Sequence, residues 1–360
     1  MSDQFREYSG VLHIHTAYSD GFGDMPYIIR CAKDAGLDFA IVSDHNTLDA
    51  LDDGWQRWHD SLLLVIGVEV SSIYGHALVL GLDHCPWWRY VHPSEYLPAI
   101  ERMGGTSFIA HPAHRSRWKF RHAKHAWPNL HSESYAGLEI WAYMHDWVHW
   151  AYPFHPIKGI RHPGSKIHGP HPPLLREWDE IAQRRHVAGI GSLDAHEFHF
   201  PIRKLRPALF RMLPMDYLFR TVRTHVLMPE HTGDAARDAA TLTQALAKGR
   251  CFVEYLPAGD ATGTRFTARR GDELALMGDE LWLGGIRQAH AALSLSKGGE
   301  LEFKATLPQD ADITLVWNSQ PIAHATGRQL IHHDSRPGVY RIEARRNGLP
   351  WVFTNHIYVR

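Results

Sequence analysis

Short apolar runs in the first 200 residues repeatedly end in a histidine or a carboxylate, and this limits what the chain can fold into more than any other feature. Val11-Leu12 leads into His13-x-His15 and Asp20, Phe39 to Ser43 into Asp44-His45, and Leu63 to Val68 into Glu69, with His76, His111 and Asp194-x-His196 in comparable places. Each run reads as a β-strand. Alternate residues of a strand face the same way, so His13 and His15 share a face, as do Asp194 and His196. Burying a charge without a partner is costly, and imidazoles and carboxylates converging on one rim are the donor set of a polynuclear metal site. Taken singly, each signal has a plainer reading. His-x-His can be a hydrogen-bonded structural pair, Asp44 can cap a helix starting at Asn46-Thr47, and Glu69 can sit in a salt bridge.

The segment from Leu12 to Gly21, LHIHTAYSDG, resembles the opening motif of the PHP (polymerase and histidinol phosphatase) superfamily. Ser43-Asp44-His45-Asn46, Gly67-Val68-Glu69, Ile109-Ala110-His111-Pro112 and Ser192-Leu193-Asp194-Ala195-His196 resemble its later motifs, in order, over about residues 8–250. Residues 247–253 and the ending from Pro350 to Arg360 are similar to the C-terminal module of the carbaryl-hydrolase-like branch. The resemblance implies an α/β fold, a distorted seven-stranded (β/α) barrel with its chemistry at the carboxyl ends of the strands. It further implies two or three divalent ions, zinc, manganese or iron. His13, His15, Glu69 and Asp194 would hold the first, Glu69, His76 and His111 the second, and Asp20, His45 and His196 the third. Asp20 stands where some members carry histidine. Asp44, Glu69 and His196 are the expected catalytic residues, Asp44 by orienting a metal-bound water or a ligand histidine.

Strands and helices alternate through the first 110 residues, with helices expected at about 25–35, 47–59 and 93–103. Such alternation implies a mostly parallel sheet covered by helices. Regularity is lost over about 112–175, an insertion rich in His, Pro, Trp and Arg in which only Leu138 to Ala142 reads as a strand. It could shape a substrate pocket or be a surface decoration packed by its own aromatics. Helix, strand and helix follow at about 174–185, 187–193 and 234–248. From about 251 to 360 the period changes to short alternating strands such as 301–305, 313–317 and 339–344, the pattern of a small antiparallel β-sandwich. Within it His332-His333-Asp334 reads as solvated, since adjacent strand residues face opposite ways.

Net charge of −1 argues against a stable nucleic-acid complex. Three scattered cysteines favour a reducing compartment. No apolar signal core or membrane-length run is present, which points to a cytoplasmic protein. Closely placed divalent ions lower the pKa of a shared water and neutralise charge in the transition state, so the expectation is a hydrolase using metal-bound hydroxide. Arg115, Arg117 and Lys119 follow the His111 strand, and His199, Arg203, Lys204 and Arg206 follow Asp194-x-His196. Guanidinium groups bind phosphate bidentately. His114, Arg115, Arg117, Glu139 and His199 are therefore the expected substrate contacts, and the expected substrate is a small phosphate mono- or diester such as a nucleotide. A carbamate, carboxyl-ester or amide hydrolase on the same metals, or a non-catalytic metal-binding accessory protein, are the alternatives.

Overall fold

The computed structural model describes residues 4–112, 127, 130–132, 134–150, 162–201, 209–283 and 300–360. It is a mixed α/β protein built on a large sheet and a five-stranded sheet, linked by isolated bridges between Ile14 and Ala195 and between His45 and Glu69. In chain order the strands that place the site are β1 (Arg6–Ile14), β2 (Phe39–Val42), β3 (Leu62–Ile66), β4 (Val68–Ser72), β5 (Gly75–Leu80), β6 (Thr106–Ile109), β7 (Gly137–Ala142) and β8 (Ala188–Ser192). β1, β2 and β3 pair in parallel. β4, β5 and β6 are antiparallel, and β6, β7 and β8 are parallel again.

The two sheets meet at both ends. β3 runs into β4 through Gly67, where any Cβ would meet the carbonyl of Val79 at 2.7 Å. At the other end the Leu193 amide donates to Leu12 O (3.0 Å), the Ala195 amide to His13 O (2.8 Å) and the His15 amide to Ala195 O (3.2 Å). Leu12, Phe39, Ile41, Leu63, Val65, Leu78, Leu80, Phe108, Ala188 and Ile190, alternate residues of successive strands, pack into one buried cluster. The other strand face carries Val11, Ala40, Val42, Leu62, Leu64 and Val79 into a second core with the helices. Truncating a buried leucine in such a cluster typically costs about 2–5 kcal/mol.

Helix α1 (Met25–Asp34) starts where the Asp24 side chain accepts from the Tyr27 amide, and buries Met25, Ile28, Cys31 and Ala32. The helix expected over 47–59 is much shorter, Asp49–Asp52. Gly54 turns the chain at φ +76° and residues 57–59 pair with β3 instead. Later helices are α2 (Pro93–Arg102), α3 (Tyr143–Trp150), α4 (Pro172–Arg184) and α5 (Ala235–Ala247). α5 places Leu242 and Leu246 on the strand cluster.

The first sheet continues through β9 (Val222–Met228) and β10 (Cys251–Tyr255) into the C-terminal strands, because β10 also pairs with Leu349–Thr354. The runs expected at 301–305 and 313–317 are two ends of one strand, Leu301–Trp317, irregular in its pairing between Thr306 and Ala311. Its alternating buried side chains, Phe303 among them, stack on residues such as Tyr340. Asp179 of α4 locks this half to the first: it accepts from Arg341 Nε (2.6 Å) and Nη2 (2.9 Å) and from His356 Nε2 (2.7 Å), all buried. In a site so dry, removing one partner costs more than the pair contributes. No described helix is long and apolar enough to cross a membrane.

Candidate metal centre

The candidate ligands leave the strands through strained backbone. His13, His111 and Asp194 adopt φ of +66°, +32° and +52°, a region that L-residues avoid without a compensating reason.

Four groups of potential donors result among the described residues: His13, His15, Glu69 and Asp194; His15, Asp20, His45 and His196; His45, Glu69 and His76; and His111, His145 and Asp194. The first is the most enclosed. His13 Nε2 and His15 Nε2 each lie 3.3 Å from Glu69 Oε2 and 3.3 Å from Asp194 Oδ1. Ligands about 2.0–2.1 Å from a tetrahedral ion lie about 3.3–3.4 Å from one another, so these spacings fit a metal ion. His13 Nε2 and both ring nitrogens of His15 are buried without a hydrogen-bond partner, a costly arrangement unless a cation is what they face.

Glu69 turns its two oxygens to different neighbours. Oε2 faces His13, His15 and, at 2.8 Å, His45 Nδ1. Oε1 lies 2.9 Å from His76 Nδ1 and 3.0 Å from His111 Nε2. Asp194 does likewise, with Oδ1 toward His13 and His15 and Oδ2 2.7 Å from His145 Nε2. Each of the two carboxylates therefore presents its two oxygens to different imidazoles. The outer group is more open: Asp20, 57% exposed at its side chain, lies 3.0 Å from His196 Nε2 and 3.5 Å from His45 Nε2.

Electrostatics match this crowding. Burial pushes the Glu69 carboxyl up, but the charges of His13 and His76 and the contacts from His111 outweigh it and hold it well below the carboxylate range. Asp194 is likewise lowered against its burial by His13, His145 and His15. His45, lowered by burial but raised more by Asp20 and Glu69, ends at about 10. His111 is pushed down to about 4 by burial and by His145. The carboxylates are thus ionised and poised for cations, which must displace protons from the histidines.

Two expected roles take a different form. Glu139, expected to contact substrate, is 1% exposed: its Oε1 accepts from His13 Nδ1 (2.7 Å) and its Oε2 from the His111 amide (2.6 Å). It lies beneath the cluster because position 139 of β7 points inward. Asp44, expected to orient a water or a ligand histidine, accepts instead from the Thr16 amide (2.8 Å), Thr16 Oγ1 (2.7 Å) and Ser19 Oγ (2.5 Å). It holds the loop that carries Asp20. His145 is the residue that sequence reasoning missed. It lies on α3, three residues beyond the end of β7, and a strand ending on this rim was the available signal. His114, Arg115 and Arg117, with Lys119, Arg203, Lys204 and Arg206, lie outside the described residues. His199 is in a strand paired with Leu209–Met212, and its side chain is outside what is described. His332-His333-Asp334 forms no donor group among the described residues; Asp334 is held by Arg336.

No family model matches the chain. An uncharacterised protein of Methanocaldococcus jannaschii is 27% identical over 114 residues, 28% of this chain and 66% of that protein, just under two thirds of its length. A crystal structure from Bacteroides vulgatus, described as a two-domain protein containing a predicted PHP-like metal-dependent phosphoesterase, aligns over 98% of this chain and 96% of its own, with 14% identity and a TM-score of 0.44. A second, from Bifidobacterium adolescentis and described as a metal-dependent phosphoesterase by assignment, covers 59% of this chain and 94% of its own, with 16% identity and a TM-score of 0.34.

Proposed function

We propose that the protein is a metal-dependent hydrolase of small phosphate mono- or diesters, nucleotides among them. The observation that carries this reading is the square of 3.3 Å contacts between two histidine Nε2 atoms and the inward oxygens of Glu69 and Asp194. The reading places the chain in the PHP superfamily, in the carbaryl-hydrolase-like branch. β1 to β8, with β3 and β4 counted as one bent strand, then form a distorted seven-stranded barrel, residues 1–250, and residues 251–360 form a sandwich module.

In this reading divalent ions, when bound, acidify a water and neutralise charge on the phosphoryl oxygens. His13, His15, Glu69 and Asp194 would hold the innermost ion, and the second oxygen of Glu69 lies beside His76 and His111, which would serve a neighbouring one. His111 and His145 flank Asp194. Asp20, the most exposed of the set, faces the incoming ester together with His45 and His196. Glu139 fixes the His13 ring so that Nε2 points into the cluster, and Asp44 fixes the Asp20 loop. Arg115, Arg117, His114 and His199 are the proposed phosphate contacts.

The test is one metal-loaded preparation assayed on p-nitrophenyl phosphate, bis-p-nitrophenyl phosphate and 1-naphthyl methylcarbamate, with metal content measured in parallel. Turnover of either phosphate ester with at least two metal equivalents per chain is the expected result. Turnover of the carbamate alone would transfer the site to neutral esters, and metal binding without turnover of any of the three would make the protein a non-catalytic metal binder.

A further inference from the structure

In a regular strand Trp141 would face the same way as Glu139, two residues earlier, and lie beneath the donor cluster. The register of β7 against β8 shifts between these two residues, and such an irregularity re-aims the side chain that follows it. Trp141 joins the same buried core as its neighbour Ile140, with its ring centroid 5.4 Å from that of Tyr255 and 5.9 Å from that of Phe353 on the C-terminal strand Leu349–Thr354. From there the indole N–H donates to Asp146 Oδ2 (3.1 Å) in the first turn of α3. The Gly169 amide donates to the same oxygen (3.0 Å). Gly169, at φ +96°, packs so closely on the C-terminal strand that a Cβ there would meet Pro350 Cβ at 2.8 Å.

The turn of helix pinned in this way also carries His145. Tyr143 and Asp146, three residues apart, share a helical face. Tyr143 is buried, its ring stacks on Tyr255, and its hydroxyl lies 2.6 Å from that of Tyr217. Between them, the Met144 amide donates to Leu193 O (3.1 Å), and His145 Nε2 lies 2.7 Å from Asp194 Oδ2 with its ring stacked on His111. Asp146 belongs to none of the four donor groups among the described residues.

We propose that Asp146 is a positioning residue for His145, and that through Trp141 and Gly169 the strand Leu349–Thr354 sets the geometry of the donor group His111, His145 and Asp194. The inference rests on the metal-dependent reading and makes the C-terminal part of the chain a support of the metal centre. One carboxylate oxygen takes two donors, one from the end of β7 and one from the segment seated on Pro350, so the first turn of α3 has a single placement relative to both. His145 is the side chain of that turn that meets the donor cluster. Groups that orient a ligand in this way typically matter about ten- to a hundredfold in metal affinity.

The experiment measures zinc affinity and zinc equivalents per chain by competition with a chelator, on the full chain. Asp146→Ala should weaken one zinc equivalent about tenfold or more and leave the others unchanged. Asp146→Asn, which keeps an acceptor for both donors, should recover the wild-type affinity. Trp141→Phe, which keeps a ring but loses the N–H, and Phe353→Leu should weaken the same equivalent by less. In a His145→Ala background none of these changes should weaken zinc further, because substitutions that act through one interaction are not additive. An equal further loss in that background, or wild-type affinity in Asp146→Ala with a lowered urea midpoint, would reduce Asp146 to packing and overturn the proposal. Wild-type affinity in Phe353→Leu would overturn the part assigned to the C-terminal strand. Should Asp146→Ala fail to fold, Trp141→Phe with and without His145→Ala carries the same test. Failure of the wild-type protein to take up zinc would overturn the metal-dependent reading and this inference with it, whereas the other outcomes leave that reading standing.

Discussion

Glu139 and His13 form the pair that aims the candidate metal-binding cluster: Glu139 Oε1 lies 2.7 Å from His13 Nδ1, and solvent reaches neither side chain. A donated Nδ1–H fixes the tautomer, so the Nε2 lone pair is directed between Glu69 and Asp194. The other oxygen of Glu139 accepts from the His111 amide at 2.6 Å, so one carboxylate sets two members of the cluster. Glu139→Gln keeps the size but can present an amide to His13. Metal affinity or turnover should fall by about ten- to a hundredfold with little loss of fold, measured by metal titration and far-UV circular dichroism. Unchanged affinity would show that His13 is aimed by packing alone.

Glu69 is the side chain common to the inner histidines and to His76 and His111. Glu69→Gln should therefore lower the occupancy of two ions together and abolish turnover, as read by elemental analysis after separate reloading with zinc and manganese. Loss of one equivalent only would restrict Glu69 to a single ion.

Much of this centre is legible in the sequence because strand periodicity and ligand chemistry coincide at the same residues. His13, His15, His45, Glu69, His111, Asp194 and His196 each close an apolar run, and a charged or imidazole group at a buried strand end has few plain explanations. His145 escapes because it follows β7 on a helix rich in Trp and Tyr, where a histidine carries no spacing signal. Glu139 was visible as a buried strand position, but which of two faces it takes depends on the register of β7 against β8, which shifts between Glu139 and Trp141. In the C-terminal half, Pro308 and Asp310 read as a break in the strand pattern. The chain instead accommodates them at an irregularity inside one long strand, Leu301–Trp317, which only its pairing with the neighbours sustains.

Asp20 is the most exposed candidate ligand, and its loop is held by Asp44 through Thr16 and Ser19. Asp20→Ala should leave the His13, His15, Glu69 and Asp194 ion in place and cut phosphoesterase turnover about a hundredfold or more, the scale of several kcal/mol of lost charge stabilisation. Carbamate turnover, where present, should fall less, since a neutral ester needs less compensation. Unchanged phosphatase rate at unchanged metal content would reduce the centre to two ions.

His145 donates to Asp194 and stacks on His111 with ring centroids 4.2 Å apart. His145→Ala should lower the measured metal content and the rate, whereas His145→Gln, which retains a donor to Asp194 but is a poor ligand, separates the two roles. Recovery of metal content in the Gln variant would make His145 a positioning residue.

Away from the metal centre, His225 is buried between Glu7 (2.9 Å) and Glu254 (3.0 Å). Burial lowers its pKa, but hydrogen bonds and charge from the two glutamates raise it more, to about 9 from 6.5. A folded-state pKa above the unfolded value contributes stability that is fully present below pH 6.5 and is lost as pH rises through about 9. The shift corresponds to about 3 kcal/mol at most. Deprotonation would leave Glu7 and Glu254 without the charge between them, although Arg265 still pairs with Glu7. The unfolding free energy, followed in urea at a series of pH values with metal saturating, should therefore decline between pH 7 and 10. His225→Asn should be less stable than the wild type at pH 6 and should show a flatter dependence across the alkaline range. An equally steep alkaline decline in that variant would assign the titration to another group.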